Sequence, residues 1–193
     1  MIPVASRAAA PRIAPVAEPT DEQRALLAKA VPVPGHAPPN VMATLVRHPT
    51  LMRRINALGG AFLAHGTLPV RERELVILRV AWRADSLYEY SQHVVLGRAA
   101  GLTEDEVRGV CADTGQAGPG ADADLIRFAD AVLAREAIPD QLWSALRVRY
   151  TDEQLLELTA LVGFYLMMAG IIDAARVDLD PGFETGWPSA EQQ

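Results

Sequence analysis

The stretch RERELVILRVAWRADSLYEYSQHVVLGRAAGL, residues 71–102, constrains the fold of this chain more than any other segment. It predicts one helix over about 70–83 and a second over about 87–100, joined by the short turn Ala84-Asp85. The first helix is apolar almost all round, which is typical of a buried helix, yet it carries Glu74 near its start. Helices joined by so short a turn pack as antiparallel neighbours, so we expect this pair to form the centre of the protein.

Polar residues of the pair are predicted to meet between the two helices. His93 follows Glu89 by four residues, so both lie on one face of the second helix. Glu74 and His93 each lie roughly 13–15 Å along their helices from the turn, which brings them level. Packed helices have axes about 8–10 Å apart, within reach of long side chains. We therefore expect Glu74, Glu89 and His93 to converge on one small, largely apolar pocket.

This cluster has a catalytic interpretation and a structural one. Histidine is suited to proton transfer near neutral pH, so Glu89 and His93 are candidates for a general acid/base pair assisted by Glu74. Polar pairs with i,i+4 spacing also occur on ordinary helices, and Glu74 has Arg71 and Arg73 nearby for a plain salt bridge. The residues alone leave both interpretations open.

Three further residues are candidates for substrate binding. Tyr90 shares a face with His93, where it either orients a substrate oxygen or belongs to the core. Ser86 has the S-x-x-E spacing of a capping box with Glu89, and a nucleophilic role would need an adjacent base. Trp82 closes the apolar helix and is the third candidate.

The combination of motifs resembles the carboxymuconolactone decarboxylase family, also called alkylhydroperoxidase D-like. The segments are P-N-V-M-A-T-L-V-R-H-P, L-G-x-x-x-L-x-x-G-x-L-P, R-E-L-V-I-L-R-V-A and Y-E-Y-S-Q-H-V-x-L-G-R-x-A-G-L-T, and the resemblance spans roughly residues 11–180. The peroxidase branch of that family uses C-x-x-C-x-x-x-H preceded by a helical Glu. Here Ser86 and Glu89 stand at the two cysteines, His93 at the histidine and Glu74 at the helical Glu.

The resemblance implies an all-α helical bundle of the alkylhydroperoxidase D-like type, with about eight or nine helices, and a homo-oligomer, either trimer or hexamer. It also raises the weight of the catalytic interpretation of Glu74, Glu89 and His93. A metal site is conceivable from these three side chains, but no H-x-x-x-H or E-x-x-H pair is present and the relatives generally work without metal. We expect no metal and no cofactor.

Composition narrows the remaining possibilities. The formal net charge is −6 and no basic run exists, so a nucleic-acid partner is not expected. The single cysteine, Cys111, excludes an internal disulfide and a C-x-x-C redox pair, and is expected to be a small buried hydrophobe. The most apolar stretch, around 155–172, is interrupted by Glu157 and Gly163 and favours a core helix over a membrane span.

The chain divides into an extended N-terminal arm over 1–19, a helical domain over 20–180 and a polar C-terminal tail over 181–193. Within the domain, capping-box spacing predicts helix starts at Thr20, Thr103 and Thr151, Asn40 is predicted to cap a short helix, and residues 31–39 are predicted to form a loop. The arm is rich in proline and alanine, and is either disordered or packed on a neighbouring subunit. It lacks the continuous apolar segment of a signal peptide, although its basic character leaves a transit peptide open. The expected location is the cytoplasm.

The missing thiols direct the functional hypothesis. Disulfide-based peroxide reduction needs one thiolate to attack and a second thiol to resolve, and neither is at the motif. We expect a cofactor-free decarboxylase, lyase or isomerase that uses acid/base catalysis on a small organic acid, lactone or carbonyl compound. The alternative is a catalytically silent helical oligomer that binds a small molecule or a partner protein.

Overall fold

The computed structural model describes residues 10–30, 38–112, 120–183 and 187. These residues form nine helices and no strand, which confirms the predicted all-α bundle. The helices are α1 Asp21–Leu27, α2 Asn40–Leu45, α3 Pro49–Leu63, α4 Val70–Arg83, α5 Leu87–Ala99, α6 Glu104–Gly109, α7 Ala121–Ala134, α8 Asp140–Arg147 and α9 Asp152–Ala175.

Helix α4 is the centre of the bundle and packs against α5, α7 and α9. Its middle is buried on every side, as its apolar sequence predicts. Arg79 is fully buried within it and donates from Nε and Nη2 to the two carboxylate oxygens of Asp130 on α7, at 2.8 and 2.7 Å. A charge inside a core is tolerated only when it is paired, so this bidentate contact fixes α7 against α4.

Three predicted capping boxes are present, at Thr20, Thr103 and Thr151. The one predicted for Ser86 is wrong, because its side chain makes no cap hydrogen bond. Ser86 has ψ 86°, whereas the three threonines have ψ between 162° and 170°, the extended conformation that lets a cap hydroxyl reach the third helical N–H. The Ser86 N–H donates instead to the Ala81 carbonyl at 2.9 Å and closes the end of α4.

The predicted cap at Asn40 is also wrong, since Asn40 is the first residue of α2. The N–H of Asn40 donates to Oδ1 of Asp180 at 2.7 Å, so a carboxylate distant in sequence takes the role of the cap. Spacing rules consider only near neighbours in the chain and cannot identify such a cap.

The described part of the N-terminal arm packs on its own chain. Arg12 and Ile13 donate backbone hydrogen bonds to the Ala175 carbonyl at 2.9 and 3.1 Å, and Val16 donates to that of Ala43 at 2.9 Å. Residues 1–9 of the arm, most of the loop predicted over 31–39, and residues 184–186 and 188–193 of the tail lie outside the described residues.

Helix α9 has an apolar surface that the described residues leave uncovered. By length and composition the helix meets the requirement for a membrane span, contrary to the expectation from sequence, but half of its most apolar window is buried, and core helices pass the same test. Its other face exposes Leu156, Leu166 and Met167, and added Cβ atoms at Gly163 and Gly170 would meet no neighbour within 4 Å.

We expect this α9 face to mediate self-association, because an exposed contiguous apolar strip is typical of an interface. Light scattering should give a trimer or hexamer of the 20.8 kDa chain. Leu156→Glu should shift the mass towards the monomer, while Gln141→Glu, at an exposed polar position on α8, should not. A monomeric wild-type protein at micromolar concentration would refute the expectation.

Candidate active site

Glu74, Glu89 and His93 come together between α4 and α5. Nδ1 of His93 lies 2.6 Å from Oε2 of Glu74, and Nε2 of the same ring lies 3.7 Å from Oε2 of Glu89. All three side chains are buried. Helix α5 packs closely on α4 at this level, since a Cβ added at Gly97 would stand 3.4 Å from Cδ1 of Leu78 and 3.7 Å from Cβ of Glu74. The imidazole therefore bridges two carboxyl groups.

Arg73 holds Glu74 from the opposite side. Its Nε and Nη2 donate to Oε1 of Glu74 at 3.0 and 2.7 Å, and its Nη1 donates to the carbonyls of Phe62 and Leu63 at the end of α3. The salt bridge predicted for Glu74 and the contact with His93 thus exist together, one on each carboxylate oxygen. This arrangement fixes Glu74 and, through it, the imidazole ring.

The two glutamates have opposite pKa shifts. Burial acts to raise the pKa of Glu74, but His93 and Arg73 outweigh it, so the pKa falls below the usual value of 4.5 and the group is a carboxylate. Burial raises the pKa of Glu89 to about 7, and His93 offsets this only in part. An ionised Glu74 accepts from Nδ1 of His93, so Nε2 is the nitrogen that faces Glu89.

A largely apolar cavity of about 90 Å³ lies beside this cluster. Glu89 and His93 line it, whereas Glu74 lies behind the imidazole. Gly59 and Gly60 of α3 contribute bare backbone to one wall. The apolar side chains in the lining are Pro39, Val41, Met42, Ile55, Leu63, Leu96, Phe164 and Met168. An apolar lining with a few converging polar groups is typical of a pocket for a small organic molecule.

Sequence reasoning missed four residues of this region. Tyr165 of α9 packs edge-on against the His93 ring, with centroids 4.9 Å apart, and lines the cavity. Burial keeps its pKa well above 10, so the hydroxyl stays a donor, and it has no hydrogen bond within the described residues. Gln92 and the exposed Lys29 also line the cavity, and Asp180 lies behind Gln92. Only Gln92 had a local signal, because it shares the α5 face with Glu89.

The three predicted substrate-binding residues do not line the cavity. Tyr90 points towards α6, where its hydroxyl donates to the Val107 carbonyl at 3.3 Å. Trp82 packs on Trp187, with ring centroids 5.0 Å apart. Ser86 is buried at the start of α5, and its hydroxyl has no partner within the described residues. Tyr90 lies about 60° from His93 but about 100° from Glu89 around the α5 axis, just beyond the arc of Glu89, Gln92 and His93 that lines the cavity.

Cys111 is remote from the cavity lining and has no features of a reactive thiol. It is buried, its Sγ lies 3.7 Å from the hydroxyl of Tyr90, and burial raises its pKa to about 11. Among the residues that the structure describes, no three His, Cys, Asp or Glu side chains are arranged as metal ligands.

The central part of the chain is similar to a known protein family. Residues 49–131 match the model of the carboxymuconolactone decarboxylase family. The alkylhydroperoxidase AhpD core of a peroxidase-related protein from Ralstonia eutropha is similar over 91% of this chain and 96% of its own, at 21% identity and a TM-score of 0.74. No curated protein sequence matches this chain.

Two other solved structures share the fold. A putative antioxidant defence protein AhpD from Agrobacterium tumefaciens is 21% identical over 70% of this chain and 94% of its own, with a TM-score of 0.62. The debrominase Bmp8 is 14% identical over 89% of this chain and 93% of its own, with a TM-score of 0.73. At these identities the likeness shows the fold alone.

Glu89→Gln should stabilise the protein above neutral pH. A carboxyl whose pKa is raised to about 7 in the folded state favours folding only while it is protonated, and this contribution is lost as pH rises from about 4.5 through 7. One pKa unit corresponds to about 1.4 kcal/mol, so at pH 8 the amide should gain a few kcal/mol. Melting temperatures at pH 5 and pH 8 would test this, and an equal effect at both values would contradict it.

Cys111→Ala should leave any activity unchanged, because the thiol is buried and has a raised pKa. The wild type should not consume hydroperoxide with a dithiol reductant. Stoichiometric consumption that disappears in Cys111→Ala would overturn this expectation.

Proposed function

We propose that the chain is a member of the carboxymuconolactone decarboxylase and AhpD-like family and that it is a cofactor-free acid/base enzyme without thiol peroxidase activity. Its substrate would be a small organic acid, lactone or carbonyl compound, and the reaction a decarboxylation or an isomerisation. The observation that carries the proposal is the imidazole of His93, held between an ionised Glu74 and a Glu89 of raised pKa, at the wall of an apolar cavity.

The two carboxyl groups support different roles. Glu74 orients the ring and stabilises positive charge on it when Nε2 takes up a proton. Glu89 has a pKa of about 7, so near neutral pH it can both give and accept a proton. Since Nε2 of His93 and Oε2 of Glu89 are 3.7 Å apart, a small movement or a substrate atom can link them. Such a pair can remove a proton at one position and return it at another.

For a β-keto carboxylate, decarboxylation passes through an enolate. The bond between the α-carbon and the carboxylate breaks, CO₂ leaves, and the electron pair forms an enolate. The hydroxyl of Tyr165 is free to donate a hydrogen bond to the enolate oxygen, where negative charge develops. Glu89 in its acid form protonates the α-carbon and regains a proton from water. Isomerisation uses the same groups, with proton removal in place of loss of CO₂.

The position of Lys29 favours an anionic substrate. Its side chain is exposed and borders the cavity, in which the other lining residues are apolar or face inward with carboxyl, imidazole, hydroxyl or amide groups. An ammonium at the rim attracts a carboxylate while the organic body enters the apolar part. Lys29→Ala should therefore raise KM for an acid more than it lowers kcat.

Turnover and stability measured on the same variants test the proposal. We would screen β-keto acids and unsaturated lactones for CO₂ release or absorbance change. His93→Ala and Glu89→Gln should lower turnover by about a hundredfold or more while the protein stays folded. Tyr90→Phe is the matched control, since Tyr90 lies on α5 outside the cavity, and it should retain full turnover.

The pH dependence gives a second readout of the same assay. If Glu89 acts as the acid, turnover should fall as pH rises above about 7, because the carboxyl loses its proton there. Binding of these compounds without turnover would favour the alternative, a catalytically silent binding protein.

A further inference from the structure

The carboxylate of Asp180 organises the wall of the cavity on the side of α2. Asp180 is buried, and its Oδ2 accepts from the Tyr88 hydroxyl at 2.5 Å and from Nε2 of Gln92 at 2.6 Å. Its Oδ1 accepts from the backbone of Asn40 at 2.7 Å. The Tyr88 hydroxyl in turn accepts from the backbone N–H of Val41 at 3.1 Å. Each of these groups therefore has a fixed role as donor or acceptor.

This network determines which way the Gln92 amide faces. A carboxylate can only accept, so the NH₂ end of Gln92 must lie against Asp180 and the carbonyl end must point elsewhere. Oε1 of Gln92 is buried and has no hydrogen-bond partner within the described residues. The residue is only 5% exposed, and it lines the cavity. A buried acceptor without a partner is costly, and a ligand donor would remove that cost.

We propose that Gln92, oriented by Asp180, is the specificity-determining acceptor for an O–H donor on the substrate. Glu89, Gln92 and His93 occupy one face of α5, so the recognised group lies within one helical turn of the acid/base pair. Together with the apolar lining and Lys29 at the rim, this describes a hydroxylated carboxylate with an apolar body. The inference rests on the proposed function for its reaction but concerns binding, which can be measured separately.

The test compares ligands that differ only in the donor. The probes are 3- and 4-hydroxybenzoate and their methyl ethers, titrated against the full chain by calorimetry or by protein NMR. The wild type should bind at least one hydroxybenzoate about tenfold or more tightly than its ether, the scale of one buried hydrogen bond. Gln92→Met keeps the size of the side chain without the acceptor and should abolish this preference.

Asp180→Asn tests whether Asp180 orients the Gln92 amide, because a purely structural role of Asp180 would not change the ligand preference. The new NH₂ group can donate to Oε1 of Gln92, which turns the amide and presents Nε2 to the cavity. Discrimination should then shift towards the methyl ethers, which can only accept. Should this variant unfold, the Gln92→Met comparison alone decides the question.

Three results would overturn the proposal: no binding of either hydroxybenzoate at millimolar concentration, wild-type ratios within about threefold, or a preference retained in Gln92→Met. They are distinguishable from failure of the proposed function. Turnover that depends on His93 and Glu89 could persist without any discrimination at Gln92, and discrimination could be found without turnover.

Discussion

The arrangement of the bundle centre depends on the contacts that the buried carboxylate of Glu74 makes. It receives Arg73 on one oxygen and His93 on the other, and Arg73 also binds the carbonyl end of α3. One fully buried group thus connects α3, α4 and α5. Removal of Arg73 would leave the buried carboxylate of Glu74 without its guanidinium partner, which costs several kcal/mol. The requirement for charge pairing therefore sets the distance between α4 and α5 and the direction of the imidazole.

The peroxidase motif that this chain resembles has two cysteines, and Ser86 and Glu89 stand at the corresponding positions here. Ser86 is buried at the start of α5, and its hydroxyl has no hydrogen-bond partner among the described residues. Glu89 at the second position places a carboxyl group 3.7 Å from the imidazole instead. A thiol pair exchanges electrons, whereas a carboxyl next to an imidazole exchanges protons. The geometry around His93 is compatible with proton transfer without any change in backbone architecture.

Local rules predicted the features that depend on neighbours in the chain. Helix α4, helix α9 and three capping boxes follow from periodicity and spacing, and the level of Glu74 with His93 follows from helix rise. Features that depend on distant segments were missed. Asp180 caps α2 across 140 positions, and Tyr165 reaches the cavity from α9. Tyr90 was placed on the wrong side of α5, since spacing defines an arc of a helix but not which edge of that arc meets a cavity.

Glu74 and Glu89 both lie beside the imidazole of His93, and their different surroundings shift their pKa values in opposite directions. Glu74 has three charged hydrogen bonds and keeps its negative charge, whereas Glu89 has no charged hydrogen bond among the described residues and only the more distant Nε2 of His93 opposes the effect of burial on its pKa. Groups whose environments separate their pKa values in this way are suited to opposite roles in proton transfer. Arg73 and His93 keep Glu74 charged behind the imidazole ring. Glu89 is the carboxyl group whose pKa is raised to about 7, and it lies on the side of the ring that faces the cavity.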